Sequence, residues 1–218
     1  MTTKVGFFPD GHSLDPVRLR AAVHKSAEDL GRAPDTVLLH NPENDPGGLP
    51  AAADALRELV AVGLCQRWGI STWDPRPLLS MLTAHRLEPD VLMTRAGITV
   101  PAGVLNAASL AAATSSTAER RGMAPFGGNP GDEAWSRFDA GLLLRPGQRC
   151  TSLQARFAVA FELPSVVAIA VGSSRPAHLK ELLEATALDT DTAAVERYRE
   201  LLAQRATVAG TATFRSAA

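Results

Sequence analysis

The sequence has almost no charge imbalance, few cysteines and no long apolar run, and each absence removes a class of function. Its 218 residues carry 22 basic and 23 acidic side chains, a net charge of −1. Nucleic acids and anionic membranes are bound by concentrated positive charge, so neither is an expected partner. No apolar stretch approaches the ~18 residues of a membrane span. Met1 to Phe8 holds one lysine and no apolar core, so no secretory leader is expected there. The two cysteines, Cys65 and Cys150, are far apart, and free thiols in a reducing cytoplasm are the expectation. The five histidines (His12, His24, His40, His85, His178) show no HxxxH spacing and the chain has no CxxC, so no metal site is expected. No GxGxxG follows the first strand candidate, which weakens a doubly wound dinucleotide-binding fold.

What is present is a regular alternation of short apolar runs and longer amphipathic ones. Hydrophobic residues make up 45%, enough for one domain, 1–218, with a sizeable core. Val5–Phe8 is a short strand candidate. Asp15 caps a helix that starts at Pro16 and stops at Gly31, with Val17, Leu19, Val23, Ala27 and Leu30 spaced along one face. Thr36–His40 reads as a strand, apolar until its last residue. A turn-rich loop, Asn41–Gly48, leads to a helix over Pro50–Val62 with Ala53, Leu56, Leu59 and Val60 inward. Arg67–Ser71 and Asp90–Thr94 are strands, followed by helices over Pro75–Ala84 and Ala102–Ala113. Gly122–Ala124 is a short strand, and a Gly/Pro-rich loop runs from Pro125 to Gln148. Thr151–Phe161 is a helix, and Val166–Val171 is a continuous apolar run, as for a strand buried on both faces. Arg175–Leu183 and Thr192–Gln204 are the last helices, and Thr207–Ala218 reads as frayed.

Six β-then-α units in series predict a parallel sheet with outer helices: an α/β, (β/α) TIM-barrel-like fold, incomplete at about six strands. Such folds carry their chemistry on the loops after each strand. Here those loops hold Asp10, His12, His40, Asn41, Glu43, Asp45, Trp73, Asp74, Arg95, Phe126 and Asn129. His40 is a candidate general acid or base, and Lys4 a partly buried amine. Arg95 suits an anionic group; its structural alternative is an ion pair with Glu43, Asp45 or Asp74. Asp10 and His12 form either an acid–base pair or, with Pro9 and Gly11, a turn. Trp73 and Phe126 are a ligand wall or core packing. Arg120-Arg121 reads as a solvated helix end.

Several segments, in order, resemble the aldo-keto reductase superfamily. Thr3-Lys4-Val5 is similar to the strand that supplies its catalytic lysine. Leu38-Leu39-His40-Asn41-Pro42-Glu43 resembles the segment with its catalytic histidine. Trp68-Gly69-Ile70-Ser71, Ala124-Pro125-Phe126-Gly127-Gly128 and Val171-Gly172-Ser173-Ser174-Arg175-Pro176-Ala177-His178-Leu179-Lys180-Glu181 resemble later segments, the last being the adenosine-phosphate one. The resemblance implies catalytic roles for His40 and Lys4. The strand-end loops, without the resemblance, add Arg95 as a third catalytic candidate and Asp10, His12, Asn41, Trp73 and Phe126 as candidate substrate contacts. Any cofactor contacts would come from Ser71, Gly172, Ser173, Arg175, His178 and Glu181.

The departures shape the functional expectation. On this alignment Met1 falls at the family's third strand, so the positions of its aspartate and tyrosine precede the sequence. The one tyrosine, Tyr198, lies in the last helix. Ser71-Thr72 stands for the family's Ser-Asn, Met93 for a glutamine, Met123 for an aromatic ring, His178 for an arginine and Leu182 for an asparagine. The favoured expectation is therefore a cytoplasmic enzyme of aldo-keto reductase type working without a cofactor, by dehydration, cyclisation or isomerisation of a small carbonyl compound. An NADP(H)-dependent carbonyl reductase with an altered proton donor is the alternative, and a non-catalytic scaffold the third. Two missing strands would leave open sheet edges, predicted to be covered by a second copy, local segments or a partner.

Overall fold

A computed structural model describes residues 1–84, 86–115, 117–127 and 138–215, with the backbone alone for 207–215. Asn129 and His85 lie outside the described residues. The elements are β1 (Thr2–Val5), β2 (Phe7–Phe8), β3 (Gly11–His12), α1 (Pro16–Leu30), β4 (Thr36–His40), α2 (Leu49–Ala61), β5 (Arg67–Thr72), α3 (Leu79–Thr83) and β6 (Val91–Arg95). They continue with α4 (Ala102–Thr114), β7 (Glu119–Met123), α5 (Ser152–Ala160), β8 (Ala168–Ala170), α6 (Pro176–Ala185) and α7 (Thr192–Arg215). The main sheet has the order β1-β4-β5-β6-β7-β8 and its strands are parallel, an incomplete TIM-barrel-like α/β fold. The chain forms two compact units. One is Met1–Thr94 with Ala107–Arg121, and the other is Arg95–Asn106 with Gly122–Ala218.

In the first unit, local chemistry sets the element ends. Asp15 Oδ1 accepts from Arg18 N at 2.9 Å, closing the start of α1. Gly31 ends the helix at φ +64°, where its N–H reaches the last carbonyls. Lys4 pairs in register with Leu38, Leu38 with Gly69, and Gly69 with Val91; two residues on, His40 pairs with Ser71, and Ser71 with Met93. Side chains alternate along a strand, so Lys4, Leu38, His40, Ser71, Val91 and Met93 share one face. Val5, Val37, Leu39, Trp68, Ile70 and Leu92 point the other way and form one core with Leu19, Val23, Leu56 and Leu59 of α1 and α2. The catalytic candidates thus stand on the face turned from the helices. Gly69 gives that face room: a Cβ there would lie 2.3 Å from the Val91 carbonyl and 2.7 Å from Leu38 Cδ2.

The sheet of this unit curls. Arg121 on β7 donates to Thr2 Oγ1 on β1 at 3.0 Å. On a flat sheet those strands, four spacings apart in the order, would be ~19 Å apart, beyond one arginine's reach. Arg121 and Arg67 also grip Glu119, at 2.7 and 2.6 Å. Arg120 and Arg121 therefore belong to a strand, not to the end of a helix.

The second unit has its own core, with Ile98, Val104, Leu143, Val159, Leu163 and Val195 at its centre. Gly97 works here at φ +114°, where its N–H donates to Leu163 O at 2.6 Å and a Cβ would sit 2.5 Å from Pro125 O. Four expectations are corrected. Val166–Val171 is not a strand buried on both faces. Only Ala168–Ala170 is strand, the last in the order, and Val167 and Val171 lie outside it, 63% and 37% exposed among the described residues. Val5–Phe8 divides at Gly6, φ +121°, into the end of β1 and a strand of a small hairpin. The final residues continue α7 to Arg215 instead of fraying at Thr207. In α1, Val17 faces solvent at 72% exposure, since the buried stripe is Leu19 and Val23. Cys65 is buried and Cys150 half-buried, both free. No described helix is long and apolar enough to cross a membrane.

Candidate functional site

Two constellations carry the candidate residues, one in each unit. In the first, β4 ends at His40, which is half-buried. The β2–β3 hairpin, paired as Phe7↔His12 and Phe8↔Gly11, lies against it. His12 Nε2 is 2.9 Å from the His40 carbonyl oxygen. A carbonyl only accepts, so this nitrogen carries the proton. The Phe7 ring meets both imidazoles edge-on, 5.0 Å from His12 and 4.7 Å from His40 between centroids. Burial lowers the His40 pKa, and the charges of Lys4 and His12 push the same way. The imidazole is accordingly neutral at neutral pH, able to accept a proton on one nitrogen and donate from the other. Desolvation also lowers the pKa of Lys4, although part of its side chain stays exposed.

The loops around His40 are built by local bonds. Asn41 adopts φ +50° and its N–H donates to Ser71 O at 2.7 Å, which turns the chain away from the strand. Its Oδ1 is buried with no hydrogen-bond partner among the described residues, an acceptor awaiting a donor. Glu43 Oε1 accepts from Trp73 N at 2.7 Å and Asp74 N at 3.3 Å, holding the loop after β5. This structural use of Glu43 has no sequence signature, because its partners are backbone groups 30 residues away. Trp73 is 37% exposed, so it is not packed into the core. Asp10 is exposed and pairs with Arg18 at 2.5 Å, which lowers its pKa, while Pro9 and Asp10 make the hairpin turn. The turn is what the structure shows for this segment. Ser71 has no exposed surface, nor does Thr72.

The second unit holds a cavity of about 340 Å³ lined by Phe126, Leu153, Arg156, Gly172, Ser173, His178 and Leu182. Four of the expected binding residues, Phe126, Gly172, Ser173 and His178, meet here. Phe126 stacks on Phe157 at 6.2 Å, which fixes one wall. Ser173 also serves the turn before α6, where its Oγ accepts from Arg175 N at 3.1 Å. Arg175 is exposed. Glu181 accepts from Thr151 Oγ1 at 2.5 Å and so braces the start of α5. Arg95 is half-buried at the end of β6. Arg156, on α5, was not anticipated; its signal is a lone cation in the otherwise weakly charged helix Ser152–Ala160. Tyr198 cannot replace the family's acid: its hydroxyl donates to Ile98 O at 2.7 Å, and burial raises its pKa. Among the described residues no cluster of three or more metal-ligating side chains occurs.

No protein-family model matches this sequence, and no curated protein matches it. Solved structures do, aldo-keto reductases among them. One from Bacillus halodurans, in its holo form, is 20% identical with TM-score 0.71, over 93% of this chain and 72% of that one. A thermostable aldo-keto reductase in complex with the inhibitor epalrestat is 21% identical with TM-score 0.71, over 92% and 70%. The aldose reductase of Giardia lamblia is 15% identical with TM-score 0.67, over 93% and 72%. The fold is that of the aldo-keto reductases, over about seven-tenths of their length. At these identities the likeness establishes fold, and activity has to be argued from the site.

Proposed function

We propose that this chain is a carbonyl-handling enzyme of aldo-keto reductase type in which His40 moves the proton at the carbonyl oxygen. The observation that carries the proposal is the shared sheet face of Lys4 and His40, with a desolvated imidazole at the strand end. His40 donates a hydrogen bond to the carbonyl oxygen and passes it a proton from one ring nitrogen while the other takes a proton from solvent, so the imidazole ends neutral. The Lys4 ammonium favours the negative charge that develops there. In this reading the unpartnered Asn41 Oδ1 accepts from a hydroxyl of the substrate and Trp73 forms an apolar wall.

The cavity of the second unit moves the balance from cofactor-free chemistry, which the sequence favours, to an NADP(H)-dependent reaction. Its donor set fits the adenosine-phosphate end of such a cofactor. Arg156, His178 and Ser173 suit a phosphate, and Phe126, Leu153 and Leu182 suit a base. When bound, the reduced cofactor supplies a hydride to the carbonyl carbon. A second reading keeps the non-redox alternative, because Ser71, where the resemblance puts a nicotinamide contact, is fully buried. The test is oxidation of NADPH by the purified protein against a panel of aldehydes and ketones. His40→Gln is expected to lower kcat by about 10²-fold or more, the usual size of a general acid's contribution. A variant as fast as the parent refutes the assignment of His40. Turnover of carbonyl substrates without NADPH favours the second reading.

A further inference from the structure

We propose that His12 is a positioning residue for His40: it clamps the His40 backbone and, through Phe7, fixes the imidazole ring. This rests on His40 being the group that moves the proton. Three observations support it. The His12 Nε2–His40 O contact at 2.9 Å pins the peptide that carries the His40 side chain. Phe7 stands edge-on to both imidazoles, with interplanar angles of 67° and 68°, so one ring sets the place of the two others. Phe7 is also 50% exposed, so burial in a core does not explain where it sits.

The third observation is how much local structure is spent on holding the hairpin there. A two-stranded hairpin with two pairs is marginal by itself. This one is bolted down at several points. Arg18 of α1 lies over the Phe8 ring at 4.1 Å and bonds Asp10 at 2.5 Å. Ser13 N donates to Gly6 O at 2.9 Å. Gly6 is buried at φ +121°, and a Cβ there would lie 3.4 Å from His40 O and 3.8 Å from His12 Nε2. Glycine at this point lets the hairpin turn back onto the strand end at that distance. Asp10, His12 and Phe7 thus form one device around His40, where the sequence suggested an acid–base pair or a turn.

The experiment is nuclear magnetic resonance of the imidazoles in the full chain, with His12→Ala, His12→Gln and Phe7→Leu, none needing a substrate. In the parent, Overhauser contacts between the Phe7 ring and His40 are expected, with His40 titrating below the ordinary histidine range. His12→Ala should lose those contacts and let the His40 midpoint rise, because a neighbouring charge is removed; Lys4 still lowers it. His12→Gln keeps a side-chain N–H for the carbonyl and should restore the contacts, though not the midpoint. Unchanged contacts and midpoint in His12→Ala would overturn the proposal. So would a folded His12→Gln without the contacts. If His12→Ala does not fold, Phe7→Leu decides. It is expected to let the His40 ring average over rotamers, and a single fixed rotamer there refutes the role of Phe7. Loss of turnover is not the readout, so a failed clamp and a failed His40 assignment are told apart.

Discussion

Replacing Glu119 by Gln removes the negative centre of a charge arrangement that crosses the curled sheet of the first unit. The carboxylate lies between Arg121 on its own strand, at 2.7 Å, and Arg67 at the start of β5, at 2.6 Å. The Arg121 hydrogen bond first, and then Arg67, hold the Glu119 pKa at about 2, against burial that raises it. A drop of roughly 2.5 units from the reference value corresponds to ~3.4 kcal/mol at most. The side chain is 30% exposed, and solvent screening brings the expected contribution to ~1–2 kcal/mol. The sign follows from linkage. The folded pKa lies below the unfolded one, so the stabilisation is complete above about pH 5. It drains away as the pH falls towards 2. Urea denaturation of the parent and Glu119→Gln at several pH values from about 7 to 3 reads this directly. The stability gap should be ~1–2 kcal/mol near neutrality and shrink by about half or more by pH 3. A gap that stays constant with pH would show that the charge does not stabilise the fold, and the bridge would then be packing alone.

Two further perturbations test other parts of the structure. Gly97→Ala places a Cβ 2.5 Å from Pro125 O at φ +114°; a loss of ~2 kcal/mol or more is expected, read as a fall of several degrees in melting temperature. The Cys65 thiol is buried and its pKa is pushed up to about 11 by desolvation and Asp90, so it should resist a thiol reagent at pH 8 until the chain unfolds, while half-buried Cys150 reacts first.

Much of the first unit was legible because its signals are local. The Thr36–His40 strand, the Asp15–Pro16 start and the Gly31 stop follow from apolar patterning and cap chemistry, and all three stand as read. That Lys4 and His40 share one face follows only from the strand register, Lys4 beside Leu38 two residues before His40, which the sequence alone does not contain. What was hidden depends on neighbours distant in the chain. The exposure of Val167 and Val171, on either side of a three-residue strand at the end of the order, is something an apolar run cannot announce. The β2–β3 strands are two residues each, too short for periodicity, although Asp10-Gly11 is a hairpin signal. Arg156 joins the cavity only because α5 packs beside α6, and Glu43 braces a loop through backbone groups alone. Among the described residues β1 and β8 end the strand order, and what pairs beyond them is not written in either strand; a second copy of the chain is the simplest proposal.

The most direct test of the account is calorimetric titration of NADPH into the parent protein and into His178→Ala and Arg156→Gln. Binding on the order of micromolar Kd is expected, weakened roughly 10-fold by either change, the size of one charge-assisted hydrogen bond. No heat of binding at millimolar NADPH would contradict it, and would return His40 to chemistry that needs no cofactor.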